Sequence, residues 1–97
     1  MAKKVIWSSR AIASFDKIID YLEKEWTEKD VRNFIFKTQK TITQIESDTI
    51  LFRTSGKRNI HEVLVSKHNL LLYRIRKNHI DLLVFYDTRR HPKKKKF

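Results

Sequence analysis

The chain contains no cysteine. No disulfide framework and no thiolate metal or redox site can therefore be built from it, and the absence suits a reducing cytoplasm, which is the location expected. A single glycine and a single proline occur in 97 residues. That excludes a glycine-rich phosphate loop and argues against long flexible linkers. No apolar run approaches the roughly 18 residues that a membrane span needs, so no membrane association is expected. The basic opening MAKKVIWSSRA is not followed by a long apolar stretch, so no signal peptide is expected either.

What is present is charge, mostly of one sign. The formal net charge is +11, and it is unevenly placed. Residues 1–50 hold nine Lys/Arg against eight Asp/Glu, whereas residues 51–97 hold thirteen against three. The second half is built to attract a polyanion or an acidic partner. The length fits one domain that buries roughly 60–70% of its unfolded surface, enough for one modest core. The expected organisation is a single domain over 1–91 and a basic tail over 92–97.

Residues 3–8, KKVIWS, read as a short first strand. Ser8 or Ser9 can cap the helix that follows. Within that helix Ile12, Phe15, Ile18, Ile19 and Leu22 recur at three- and four-residue spacings and so share one face. Thr27 opens a second helix, with Asp30 three residues on as the return half of a capping box. Val31, Phe34, Ile35, Thr38, Ile42 and Ile45 continue an apolar stripe. The short break near Trp26 predicts an antiparallel helical hairpin. Residues 46–56 follow neither period and contain the glycine, so they read as a loop.

Beyond the loop the period changes to two. KRNIHEVLVS, NLLLYRIR and HIDLLVFYD are strand-like runs separated by the polar turns SKHN and RKNH. Short turns between successive strands predict an antiparallel meander. The predicted order is β-α-α-β-β-β, an α+β fold with an N-terminal helical hairpin packed on an antiparallel sheet. In the middle strand, alternation puts Leu71, Tyr73 and Ile75 on one face, suited to pack under the helices. Leu70, Leu72, Arg74 and Arg76 share the other. Two readings stand for that second face: a partner-binding surface, or edge residues half buried beside snorkelling arginine stems.

The order of elements resembles the RelE/ParE toxin superfamily, the toxin halves of bacterial type II toxin–antitoxin modules. So do IWSSRAIASFDKIIDYLEKEW and HNLLLYRIRKNHIDLLVFYDTRR, with a strand ending in Tyr-Arg, a tight turn, an apolar strand and paired basic residues. The resemblance covers nearly the whole chain. It implies a growth-inhibiting, plasmid-stabilising toxin with no cofactor and no metal. The expected partner is a cognate acidic, partly disordered antitoxin. RelE-like members cleave mRNA on the ribosome by directing the 2′-OH onto the adjacent phosphate, whereas ParE-like members inhibit DNA gyrase.

A nuclease of the RelE kind needs cations for the charge developing on the phosphate and a group to move protons. The arginine expected three positions before the strand tyrosine is Leu70 here. The two lysines expected on the preceding strand fall at Ile60 and Glu62. Arg90 does match, with Arg89 beside it. A YoeB-like set would draw on Glu62, Arg90 and His91, after a one-residue shift. The ParE-like branch, acting on gyrase, is therefore favoured. The alternatives are a ribosome-dependent mRNA endonuclease and a non-toxic nucleic-acid-binding module.

Target contacts are expected from Arg58, Arg74, Arg76, Arg89 and Arg90 and from Lys93, Lys94, Lys95 and Lys96. Arg58 and Arg74 can equally be structural. Antitoxin contacts are expected from Leu70, Leu72, Arg74 and Arg76. The arginine forks give geometry, and the tail lysines give affinity through charge. Glu62 otherwise reads as a surface strand residue paired with a neighbouring lysine or arginine, His61, His68 and His79 as solvated residues in or beside turns, and Trp7 and Trp26 as core or hairpin packing.

Overall fold

A computed structural model describes residues 3–47 and 59–88. The order is β1 (Lys4–Trp7), α1 (Ser9–Glu25), α2 (Glu28–Glu46), β2 (Ile60–Ser66), β3 (Asn69–Ile75) and β4 (His79–Asp87). The β-α-α-β-β-β reading holds, and β2, β3 and β4 form the antiparallel meander. The sheet as a whole is not antiparallel. Its order is β1-β4-β3-β2, and β1 lies parallel to β4. The reason is connectivity. Strand β1 has no hairpin partner beside it in sequence, and its chain crosses the sheet through two helices before it meets β4, which is how parallel neighbours are joined.

Ser8 makes the turn out of β1. Its N–H donates to the Leu82 carbonyl at 3.1 Å, its hydroxyl donates to the Leu83 carbonyl at 3.0 Å, and the same Oγ accepts from the Ala11 N–H at 3.0 Å. Helix α1 is thus capped and fastened to β4 by one side chain. Six residues on, the Ser14 Oγ accepts from the Phe85 N–H at 2.9 Å. Because β1 pairs only with residues 79–82 of β4, the two serines serve the part of the β4 edge that β1 does not reach. The close approach leaves room for a small side chain only, and Ala11 is the fully buried residue of α1. Phe15, Ile18, Ile19 and Leu22 pack on the core as the periodicity implies, but Ile12 is exposed.

Thr27 and Asp30 form the expected capping box at the start of α2. The Thr27 Oγ1 accepts from the Asp30 N–H at 3.2 Å, and the Asp30 Oδ2 accepts from the Thr27 N–H at 3.1 Å and hydroxyl at 2.8 Å. These bonds, the hydroxyl one foremost, hold the Asp30 carboxyl below the usual carboxylate range. A depressed folded-state pKa adds stability above the ordinary carboxylate value, and that stability is lost as pH falls through the folded value. Asp30→Ala should therefore lower Tm at pH 7. The gap from the parent should close as the pH drops below the carboxylate range in circular-dichroism melts. A gap that stays constant with pH would assign the effect to helix propensity instead.

Along α2, Val31, Phe34, Thr38 and Ile45 are buried and Ile42 is partly so, whereas Ile35 turns outward. Thr38 is tolerated in the core because its hydroxyl donates to the Phe34 carbonyl at 2.8 Å. The helix runs through Glu46, where a loop was expected to begin. Residues 48–56 of that loop lie outside the described residues. The centre of the core is aromatic. Trp7, Phe15, Phe34 and Phe85 are linked by ring-centroid separations of 5.4–5.6 Å, within the range that offset and edge-on pairs prefer.

Candidate functional site: the far face of the sheet

Leu71, Tyr73, Ile80, Leu82, Phe85, Val63 and Val65 belong to the core under the helices, with Ile75 packed against it. Alternation sends their neighbours to the opposite face. The strand register sets that face in rows. One row reads Ile6, Asp81, Arg74 and Ile60, the next Val84, Leu72 and Glu62, and the last Tyr86, Leu70 and Leu64. The ladder slips between Leu72 and Tyr73, where Leu83 is the extra residue of β4. This bulge lets Leu82 and Phe85 face the helices while Leu83 and Val84 both join the far side.

The expected face of Leu70, Leu72, Arg74 and Arg76 is therefore real, but half of it is closed. Leu70 and Leu72 are 3% and 2% exposed, in a second cluster with Ile60, Leu83 and Val84. The reading of Leu70 and Leu72 as exposed on a partner-binding surface needs correcting. Strand alternation shows which residues share a face and carries no information on what covers them. Glu62 needs the same correction. It is 5% exposed and so not at the surface, because its row neighbours are Leu72 and Val84.

The other half of the face is polar and cationic. Arg76 Nε lies 3.3 Å from Asp81 Oδ2, and His79 Nε2 lies 3.2 Å from Asp81 Oδ1. Lys3 Nζ donates to the Arg76 carbonyl at 3.0 Å. Lys4 sits beside His79 in the register, Arg74 is half-buried and Lys77 is exposed. One carboxylate, Asp81, stands among these cations. It orients Arg76 without neutralising the patch. Asp81 escaped the sequence reading, although a lone acid inside the apolar run HIDLLVF was its visible signal.

Arg58, Arg89, Arg90, His91, Lys93, Lys94, Lys95 and Lys96 lie outside the described residues. His61 is on the helix side, stacked on Tyr73 at 5.4 Å. His68 is half-buried in the β2–β3 turn. Trp7 is in the core as expected, but Trp26 is 53% exposed at the hairpin break. Among the described residues no group of three or more His, Asp or Glu is placed to hold a metal, and no helix is long and apolar enough to cross a membrane.

Two helices packed on one face of a four-stranded mixed sheet match the fold of the RelE/ParE-like toxins. The chain is similar to a solved structure of the chromosomal ParDE TA system from P. aeruginosa, with a TM-score of 0.74 at 12% identity over 89% of this chain and 96% of that one. It is also similar to the E. coli DinJ-YafQ toxin-antitoxin complex, with a TM-score of 0.64 at 8% identity over 93% and 97%. The YoeB dimer from Staphylococcus aureus gives 0.60 at 14% identity over 87% and 94%. No family model and no curated protein matches the sequence.

Proposed function

We propose that this protein is the toxin of a type II toxin–antitoxin pair, restrained by a cognate antitoxin, and that it inhibits growth by binding DNA gyrase. The observation that carries the choice of target is Leu70. A nuclease of this fold would carry a cation there for the scissile phosphate. The position instead belongs to a closed apolar cluster, and no charge is offered from it. The ParDE system's higher TM-score than that of the YoeB dimer supports the same branch. Arg74 and Arg76 are the contacts from the described residues, and Arg58, Arg89, Arg90 and Lys93 to Lys96 complete the cationic set.

One observation favours the second reading, an mRNA endonuclease. Glu62 is a carboxylate kept at low exposure on the same face as Arg74, and a general base belongs in such a place. His91 and Arg90 would act with it. The two readings separate in one experiment: induce the protein in cells, then follow plasmid supercoiling and mRNA cleavage together. Loss of negative supercoiling with intact transcripts is the expected result. Cleaved transcripts with normal supercoiling, abolished by Glu62→Gln or His91→Ala, would transfer the protein to the nuclease branch.

A further inference from the structure

Asp81 stands at the centre of the cationic half of the far face. It pairs in register with Ile6 on one side and Arg74 on the other. Both of its oxygens are engaged: Oδ1 lies 3.2 Å from His79 Nε2, and Oδ2 lies 3.3 Å from Arg76 Nε. Arg76 is also fixed through its backbone. Its N–H donates to the His79 carbonyl at 2.8 Å, and its carbonyl accepts from Lys3 Nζ at 3.0 Å. The root and the neck of this side chain are therefore held, and its end is not.

An ion pair as exposed as this one adds little to stability. What it changes is direction. A guanidinium offers one edge through Nε and another through its two terminal nitrogens. Asp81 takes the first, and among the described residues no bond is made by the second. The Nη1–Nη2 edge is thus left for a second acid, and it matches a carboxylate with two parallel bonds. Ile6, beside Asp81 in the same row, is 41% exposed. An arginine fork next to an exposed aliphatic side chain suits a protein partner, which would cover the isoleucine while its acid met the fork. Under a phosphate backbone the isoleucine would stay wet.

We infer that Asp81 is a positioning residue: it aims the Arg76 fork at an aspartate or glutamate side chain on the protein that this one inhibits. The inference rests on the reading of a protein target and names the chemistry of one contact with it. Asp81 acts through Arg76 and touches no partner itself. The sign of its effect separates positioning from simple electrostatics. Asp81→Asn raises the net charge by one and removes an acid that repels the incoming carboxylate, so charge alone predicts tighter binding. Positioning predicts the reverse. Arg76 must then be ordered at the moment of contact, which weakens binding about two- to tenfold.

The test is a double-mutant cycle on the full chain, read as the expression level that halves growth. Asp81→Asn should raise that level. In an Arg76→Ala background the same change should raise it no further. Arg76→Lys keeps the charge but cannot form the fork, and it should raise the level by as much as Asp81→Asn or more. Circular-dichroism melts close to the parent's should accompany these variants. Asp81→Asn as potent as the parent, or more so, would overturn the proposal. So would an equal loss in both backgrounds, or a silent Arg76→Lys. The growth readout does not presuppose gyrase: toxicity with normal plasmid supercoiling would sink that target and leave the cycle to decide Asp81. A second arm decides the partner's chemistry. In NMR spectra the Arg76 Nε–H signal, assigned by its loss in Arg76→Lys, should move with a short polyglutamate peptide and not with oligothymidine of equal charge. An equal or larger shift with the oligonucleotide would make the contact a phosphate and overturn the carboxylate.

Discussion

Phe85→Ala should remove a large fraction of the protein's stability and move its urea midpoint far down. Phe85 is 3% exposed and its ring stands 5.6 Å from Trp7 and 5.4 Å from Phe15. Truncating a buried phenylalanine costs about 3–5 kcal/mol through lost transfer energy and the cavity left behind. A domain of this size has about 5–15 kcal/mol in all, and its core is thin, so that loss is a large fraction. The site resists collapse because the Phe85 N–H is tied to Ser14 and Phe85 also pairs across the sheet with Leu71. Urea titration should show a lower midpoint, and Phe85→Leu should recover most of it. A midpoint unchanged in Phe85→Ala would mean that the four rings do not form the cooperative centre.

The second large effect is on function and spares the fold. Arg74→Glu combined with Arg76→Glu should abolish growth inhibition at matched expression. The reversal removes two guanidiniums from the cationic half of the far face and adds two carboxylates beside Asp81. A hydrogen bond to a charged group is worth about 1.5–3 kcal/mol, so each lost contact weakens target binding by roughly 10- to 150-fold. The stability change should be small. The Arg76 side chain is 50% exposed, and its link to Asp81 is 3.3 Å long, a surface ion pair of about 0–1 kcal/mol at most. A circular-dichroism melt close to the parent's, together with lost toxicity, is the expected pair of results. Undiminished toxicity in the double variant would remove this half of the face from the target interface.

These two experiments bear on features of different legibility. Phe85 falls near the end of the strand-like run HIDLLVFYD, but its two ring partners come from β1 and α1, with Phe34 of α2 stacked on one of them, and no local pattern relates them. Arg74 and Arg76 were readable as sharing a face with Leu70 and Leu72. What the pattern could not carry was that one half of this face is closed and the other open. Glu62 was misread for the same reason. A lone acid in IHEVLV looks like a surface residue until the register places it beside Leu72 and Val84. Trp26 was misread in the opposite sense: a tryptophan between two helices suggests packing, yet the helix ends there and the ring turns outward.

The sequence by itself determined the elements that depend on neighbours in the chain. Thr27 and Asp30 are three residues apart and made their capping box as expected. The change of period after residue 56 marked the passage from helices to strands, and the two polar turns determined the meander. The placement of charge was also fully legible, since composition needs no coordinates. Tertiary structure alone decided the parallel pairing of β1, the bulge at Leu83 and the serine bridges from α1 to the edge of β4. Each joins residues far apart in the chain, more than seventy positions for Ser14 and Phe85. Local periodicity specifies which side chains point the same way. Which of them meet, and which are covered, depends on how the layers close over one another.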